Sequence, residues 1–368
     1  MTRSRWTLWT AVILLAGCLV GLDAYLRLRD SGATSRSAVL SAMPSDASAV
    51  IFADLTELRR APFTAEFYSW IPKGQVDAEY AQFLRDTGFD YERDLDRVAV
   101  SFIKAEKDGK LFAVAEGRFD RNKVEAYAAR SGIRENRSGR EIFSVPLGDP
   151  GHKISFVFLS KNKVAFTDAA DIAPFLAPVA DSADMRNWRE RFARVAGSPV
   201  FAVIRQDSEP GSALASRAPG GFQSPQLATL LNQLQWITLA GKPREGAMRI
   251  VAEGECANEQ TSRQLSDMLN GMLALAQAGL NGPQTRRGLD PRIREAYLEM
   301  IKGAEVSRLD RGETKSVRAV FDVTSNFLHI VSATVPAVPT VVAPAVTPAP
   351  TPAAKTRVRK RSQKSAGN

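Results

Sequence analysis

Arg97-Val-Ala-Val-Ser-Phe-Ile103 with Leu111-Phe-Ala-Val-Ala-Glu-Gly117, and later Gln235-Trp-Ile-Thr-Leu239 with Met248-Arg-Ile-Val-Ala-Glu-Gly254, decide the fold class of this chain. Each is a short run of β-branched and aromatic residues bounded by polar sequence, which predicts a strand. In both pairs the second run ends in Ala-Glu-Gly and leads towards a helix.

Working outward, similar elements flank both pairs. Ser48-Ala-Val-Ile-Phe-Ala-Asp-Leu55 and Ser198-Pro-Val-Phe-Ala-Val-Ile-Arg205 read as opening strands. Helical stretches follow at Tyr80–Arg85 and Gln226–Leu231, the second with Ser224 as N-cap and Pro225 at the first helical position. After the strand pairs, Asp120 caps a helix that carries Val124, Tyr127 and Ala128 on one face and ends at Gly132. Its counterpart runs from about Asn258 to Ala278, with Leu265, Met268, Leu269 and Met272 on one side as core. Hairpins close both halves: Ile154–Leu159 into Val164–Phe166, and Val306–Leu309 into Val317–Val323.

The expected fold is therefore α+β. Two similar β-α-β-β-α-β-β halves form mainly antiparallel sheets, covered by helices on one face and preceded by one transmembrane helix. A helix over Met185–Val195 joins the halves, with Met185, Trp188, Phe192 and Val195 inward and Arg186, Arg189, Arg191 and Arg194 facing solvent.

The transmembrane expectation rests on the N-terminus. A basic start, Met1-Thr-Arg-Ser-Arg5, precedes seventeen uncharged residues from Trp6 to Leu22, at the lower limit of a spanning helix. Trp6, Trp9 and Tyr25 fall where interfacial aromatics belong. Leu15-Ala16-Gly17-Cys18 also resembles the bacterial lipobox, so a lipoprotein anchored at Cys18 is the alternative, although Leu-Val-Gly-Leu after it stays apolar. Either way the body sits at a membrane. The expected location is the bacterial inner membrane, single-pass, with the body on the periplasmic side.

The chain divides as follows: membrane anchor 1–29, flexible stalk 30–45, first half 46–180, second half 181–334, Pro-rich linker 335–354 and basic disordered tail 355–368. Six prolines between Val335 and Ala353 favour an extended polyproline spacer. The formal charge is +9, yet six cations lie in the tail and the N-terminal segment contributes a net two, leaving about +1 for the body. A high pI here does not indicate a nucleic-acid-binding domain. Lys355, Arg357, Arg359, Lys360, Arg361 and Lys364 are the candidate polyanion contacts, for anionic lipid or an acidic envelope polymer. Nucleic acid becomes the candidate only if the topology is inverted.

Chemistry-bearing motifs are sparse. Two histidines, His152 and His329 (the latter in an expected terminal strand), nearly remove the usual zinc sites. Asp86-Thr-Gly-Phe-Asp90-Tyr-Glu92-Arg-Asp94-Leu-Asp96 is dense in oxygen ligands. Counted from Asp90, however, the positions a calcium loop gives to Gly and Glu hold Leu95 and Ser101. It reads as a helix end, a turn at Gly88 and a polar lead into a strand. The glycine-rich stretch Gly211–Gly221 lacks the Gly-Lys-Ser/Thr of a phosphate loop. Glu116 and Glu253 could form a carboxylate pair, but they read as outward residues at strand ends, with the following glycine permitting a turn. Cys256 reads as an inert core thiol, unpaired with Cys18. No catalytic, cofactor-binding or metal-binding residue is assigned.

Ser48-Ala-Val-Ile-Phe-Ala-Asp-Leu, the Thr-Gly-Phe-Asp…Arg-Asp-Leu-Asp-Arg-Val segment and Glu-Gly-Arg-Phe-Asp at 116–120 together resemble a group of uncharacterised bacterial proteins. These have a single N-terminal anchor and a large extracytoplasmic α+β body, and the resemblance covers about residues 44–180. It implies no activity and carries over no site residue. The expected function is thus a membrane-tethered cell-envelope protein, not an enzyme, working as an interaction or scaffold protein with a partner the sequence does not identify. The alternative is a small-molecule or lipid binder using a cleft between the halves. A third reading is an envelope hydrolase using Glu116 and Glu253. On the spanning-helix reading, mass spectrometry of the purified chain finds residues 1–22 retained and no lipid adduct; cleavage before Cys18 with an added lipid mass would establish the alternative.

Overall fold

A computed structural model describes residues 36, 38–70, 78–104, 109–137, 139–146, 153–177, 181–206, 229 and 231–332. The Trp6–Leu22 run with Cys18, His152, the Gly211–Gly221 stretch, Ser224 and Pro225, the Pro-rich linker and the basic tail lie outside these residues. Among the described residues no helix is long and apolar enough to cross a membrane.

Twelve strands form one sheet, every neighbouring pair antiparallel. They are β1 Ala47–Asp54, β2 Leu95–Ile103, β3 Lys110–Gly117, β4 Ile133–Arg137, β5 Arg140–Pro146, β6 Lys153–Ser160, β7 Lys163–Thr167, β8 Val200–Arg205, β9 Leu234–Arg244, β10 Ala247–Cys256, β11 Glu305–Arg311 and β12 Thr314–Thr324. Their order is β11-β12-β10-β9-β8-β1-β2-β3-β7-β6-β5-β4. The two opening strands thus pair with each other at the centre, and a mixed α+β fold with a large antiparallel sheet results.

The helices are α1 Leu55–Arg60, α2 Pro62–Trp70, α3 Ala78–Thr87, α4 Tyr91–Asp94, α5 Arg121–Ser131, α6 Ala183–Val195, α7 Glu259–Asn281, α8 Pro283–Gly288, α9 Pro291–Lys302 and α10 Ser325–Ser332. Their starts follow local chemistry: Asp120, Ser182 and Asn258 each accept a backbone N–H from the first turn of α5, α6 and α7. His329 lies in α10 rather than in a terminal strand, with Tyr297 of α9 packed edge-on to Phe327 of the same helix.

Alternation places the core. Along β1, Val50 and Phe52 are fully buried while Ile51 between them is 41% exposed. Phe52 pairs with Phe201 of β8, and their rings stack at 5.0 Å. Helix α6 lies over this centre. Trp188 meets Trp236 of β9 edge-on at 4.8 Å, and Phe192 approaches Phe201 at 6.0 Å. Val39 and Met43 complete this core, and the Trp188 indole N–H reaches the Ser45 carbonyl.

Three expectations are corrected here. Helices cover both faces: α6 sits on the Phe52 face, whereas α5 and α7 sit on the other, where Arg121 lies over Phe158 and Leu265 packs on Val317. The stretch expected as a flexible stalk to Ser45 enters the fold, because Val39, Leu40 and Met43 are buried. Their apolar side chains are hidden among small polar neighbours, so composition alone reads as linker. The first half also holds an extra hairpin, β4–β5. Every residue of β4 is exposed, so it carries no buried-face alternation to detect. Both sheet edges, β4 and β11, are rich in charge, which discourages pairing with other chains.

The central stack is the sensitive point. Phe52→Ala is expected to cost about 3–5 kcal/mol, and Ile51→Ala on the opposite face about 1 kcal/mol; urea unfolding of the two variants measures the difference.

Candidate functional site

Two groups of charges and one cleft occupy the face that carries Phe52. Register places Asp54, Arg97, Glu116 and Lys163 side by side across β1, β2, β3 and β7. Arg97 binds Asp54 at 2.9 Å and reaches Glu116 at 3.6 Å. Arg36, from the segment ahead of β1, also reaches Asp54 at 3.5 Å and Glu57 at 3.1 Å, and donates to the Ala196 carbonyl beyond α6.

The second group locks α6 to the other half of the sheet. Arg191 and Arg194 both bind Glu255 of β10, Arg194 at 2.8 Å. Arg194 also approaches Glu253 at 3.7 Å, and Arg311 binds Glu253. Arg191 stacks 4.1 Å from the Trp236 ring centre. Burial alone would raise the Glu253 carboxyl, but the hydrogen bond and charge of Arg311, with Arg194 and Ser316, outweigh it and hold the group below its ordinary value.

Sequence reasoning sent all four arginines of α6 to solvent; Arg186 and Arg189 are exposed, Arg191 is buried and Arg194 half-buried. The signal was present in the spacing. Arg191 follows Trp188 by three residues and precedes Val195 by four, which puts it on the buried stripe.

Glu116 and Glu253 likewise do not face out, since each side chain is mostly covered and held by arginine. They are not brought together. Four strands separate β3 from β10, a distance of about 24 Å at roughly 4.8 Å per step. The shared glycines serve different ends. A Cβ on Gly117 would lie 2.5 Å from the Asp94 carbonyl, whereas Gly254 lies inside β10 against Leu234, and that strand runs on to Cys256.

The acidic run is engaged by protein groups. Asp90 caps α4, Asp94 binds Arg93 at 2.8 Å and Arg118 at 3.3 Å, Asp86 binds Arg130, and Asp96 accepts from Thr56. Among the described residues no cluster of His, Cys, Asp and Glu is placed to hold a metal ion. Cys256 is buried, which pushes its thiol up to about 11 and keeps it protonated near neutral pH.

The cleft went unnoticed in the sequence. It has a volume of about 380 Å³ and opens where the Phe52 face continues past α6 onto β3, β7, β6 and β5. Phe112, Leu159, Phe175 and Leu176 supply apolar walls, and Ala38 and Ala42 close it from the N-terminal segment. Phe112 and Phe175 stack at 5.1 Å. Arg140 and Lys163 stand in the lining.

No protein-family model and no curated protein matches the sequence. Among solved structures the chain is similar to TP0453. Crystal form III matches with a TM-score of 0.42 at 10% identity, covering 80% of this chain and 98% of that one. Crystal form I matches with a TM-score of 0.43 at 10% identity, covering 80% and 96%. A likeness of that order assigns no activity.

The Glu253 arrangement has a pH signature. A carboxyl depressed in the folded state contributes stability above its unfolded value, and that contribution is lost as pH falls through the folded value. Glu253→Gln is therefore expected to be less stable than the parent at pH 7, with the gap closing as pH falls below the ordinary glutamate value of 4.5. Thermal unfolding across pH 3–7 checks this.

Proposed function

We propose that this chain is a membrane-tethered protein of the bacterial cell envelope, its body on the extracytoplasmic side, which acts by binding rather than by catalysis. The tether is the Trp6–Leu22 run, read as one transmembrane helix with arginines at both ends. The observation that carries the binding reading is the apolar cleft beside Phe112 and Phe175. Ligand sites are concave, mainly apolar and furnished with a few polar groups, and the cleft has this make-up.

Of the binding modes the sequence leaves open, capture of a small molecule or lipid is therefore favoured over a pure scaffold role. Its place differs from the expectation, because the lining comes from residues 38–42 and from β3, β5, β6 and β7 with the turn at 175–177, and includes nothing from beyond residue 177. A carboxylate hydrolase has no such support, with Glu116 and Glu253 on distant strands and each engaged by arginine.

We further read the two halves as copies of one unit. The order β1-β2-β3-β7-β6 on one side of the centre and β8-β9-β10-β12-β11 on the other supports this, with β4–β5 as an insertion. In this reading the basic tail from Lys355 holds the protein against anionic lipid or an acidic envelope polymer.

The test is topology. With a tag at the C-terminus, protease added to spheroplasts is expected to remove the tag while a cytoplasmic control survives. A tag digested only after lysis would overturn the extracytoplasmic placement.

A further inference from the structure

We propose that the cleft beside Phe112 takes a single-chain amphipathic anion, its acid head held by Arg140 and Lys163 and its hydrocarbon laid against Phe112, Leu159 and Phe175. This rests on the binding reading above and names its ligand class.

The first argument is charge. Arg140 and Lys163 project from the same sheet face as Phe112, at the ends of β5 and β7. Neither forms an ion pair among the described residues, although cations around them do. On the neighbouring edge strand, Arg134 binds Glu141, and Arg137 binds Glu135 at 2.9 Å and Asp171 at 3.3 Å. Lys163 stands opposite Glu116 across the strands, but that carboxylate is shared between Arg97 and the Asn162 amide. Two cations thus border an apolar hollow with the nearby carboxylates already engaged. An anion placed there meets both without displacing an existing pair, and the low-dielectric wall strengthens the attraction.

The second argument is size and shape. A volume of about 380 Å³ lies at the small end of ligand pockets. It suits one hydrocarbon chain. The stacked rings of Phe112, 1% exposed, and Phe175 offer a firm apolar wall, and Leu159 extends it along β6 towards Arg140. Along the strand direction Phe112 lies level with Thr167, four residues from Lys163, so the cations and the stacked rings stand at different ends of the hollow, which sets the orientation of the guest.

A carboxylate and a phosphate monoester share this head chemistry, so the experiment includes both. The full chain in phosphatidylcholine nanodiscs is photolabelled with a diazirine-bearing decanoic acid, and adducts are mapped by mass spectrometry against empty-disc controls. Adducts are expected within 38–42, 159–163 and 173–177. Decanoate and decyl phosphate should compete, each methylene from hexanoate to decanoate tightening competition about fourfold. Arg140→Gln with Lys163→Gln should lower labelling at least tenfold; Arg140 is exposed and Lys163 half-buried, and an unchanged thermal unfolding midpoint of the double variant checks that folding is retained. Decanol competing as well as decanoate, or labelling unchanged in the double variant, would overturn the anion preference while leaving an apolar binding cleft. Inorganic phosphate competing as well as decyl phosphate would reduce the site to a head-only anion site. No adduct in these segments, with the variant and the parent alike, would remove the binding reading itself.

Discussion

Everything in this molecule is organised around the pairing of β1 with β8. Two strands far apart in the chain meet in register, stack Phe52 on Phe201, and turn two sets of strands into one twelve-stranded sheet. The pairing removes what would otherwise be two open strand edges at the middle of the protein. It also creates the continuous apolar surface on which α6 lies, with Trp188, Phe192 and Val195 against both halves. Because closing so long a loop costs entropy before its contacts form, the pair depends on the side chains that bury it. Helix α6 and the Val39–Met43 segment supply that cover.

The polar groups on the same face show how the cover is held in place. Arg191 and Arg194 reach from α6 to Glu255, and Arg36 reaches from the N-terminal segment to Asp54 and past α6 to Ala196. Buried ion pairs add little net stability against apolar replacements, since desolvation offsets the attraction. Losing one partner is costly, however, so such pairs fix position. Here they set where α6, Arg36 and residues 38–43 sit over the sheet, and Ala38 and Ala42 then define one wall of the cleft.

The two ends of this face differ in chemistry. Around β3, β7 and β6 it buries Val114, Ala165 and Val157 beside the Arg97–Glu116 pair, and it ends at Arg140 and Lys163. Around β10 and β12 it is charged, with Glu253, Glu255 and the Arg249–Asp322 pair at 2.7 Å. A similar strand order therefore presents a hollow at one end and a salt-bridged surface at the other. That contrast puts the candidate site on the β3-β7-β6-β5 side of the sheet, with Ala38 and Ala42 as one wall.

The features legible in the amino-acid order are local. The strand runs at 97–103, 111–117 and 248–254, and the cap at Asp120, were legible because alternation and capping act over a few residues. The tertiary structure alone decided that β1 joins β8, that helices cover both faces, and that Glu116 and Glu253 stand strands apart. It also decided that Arg191 turns inward, although the spacing from Trp188 held the clue. The all-exposed β4 left no pattern to read, and the cleft draws on residues from 38 to 177. Such features depend on which distant segments pack together, and no window of neighbouring residues encodes that choice.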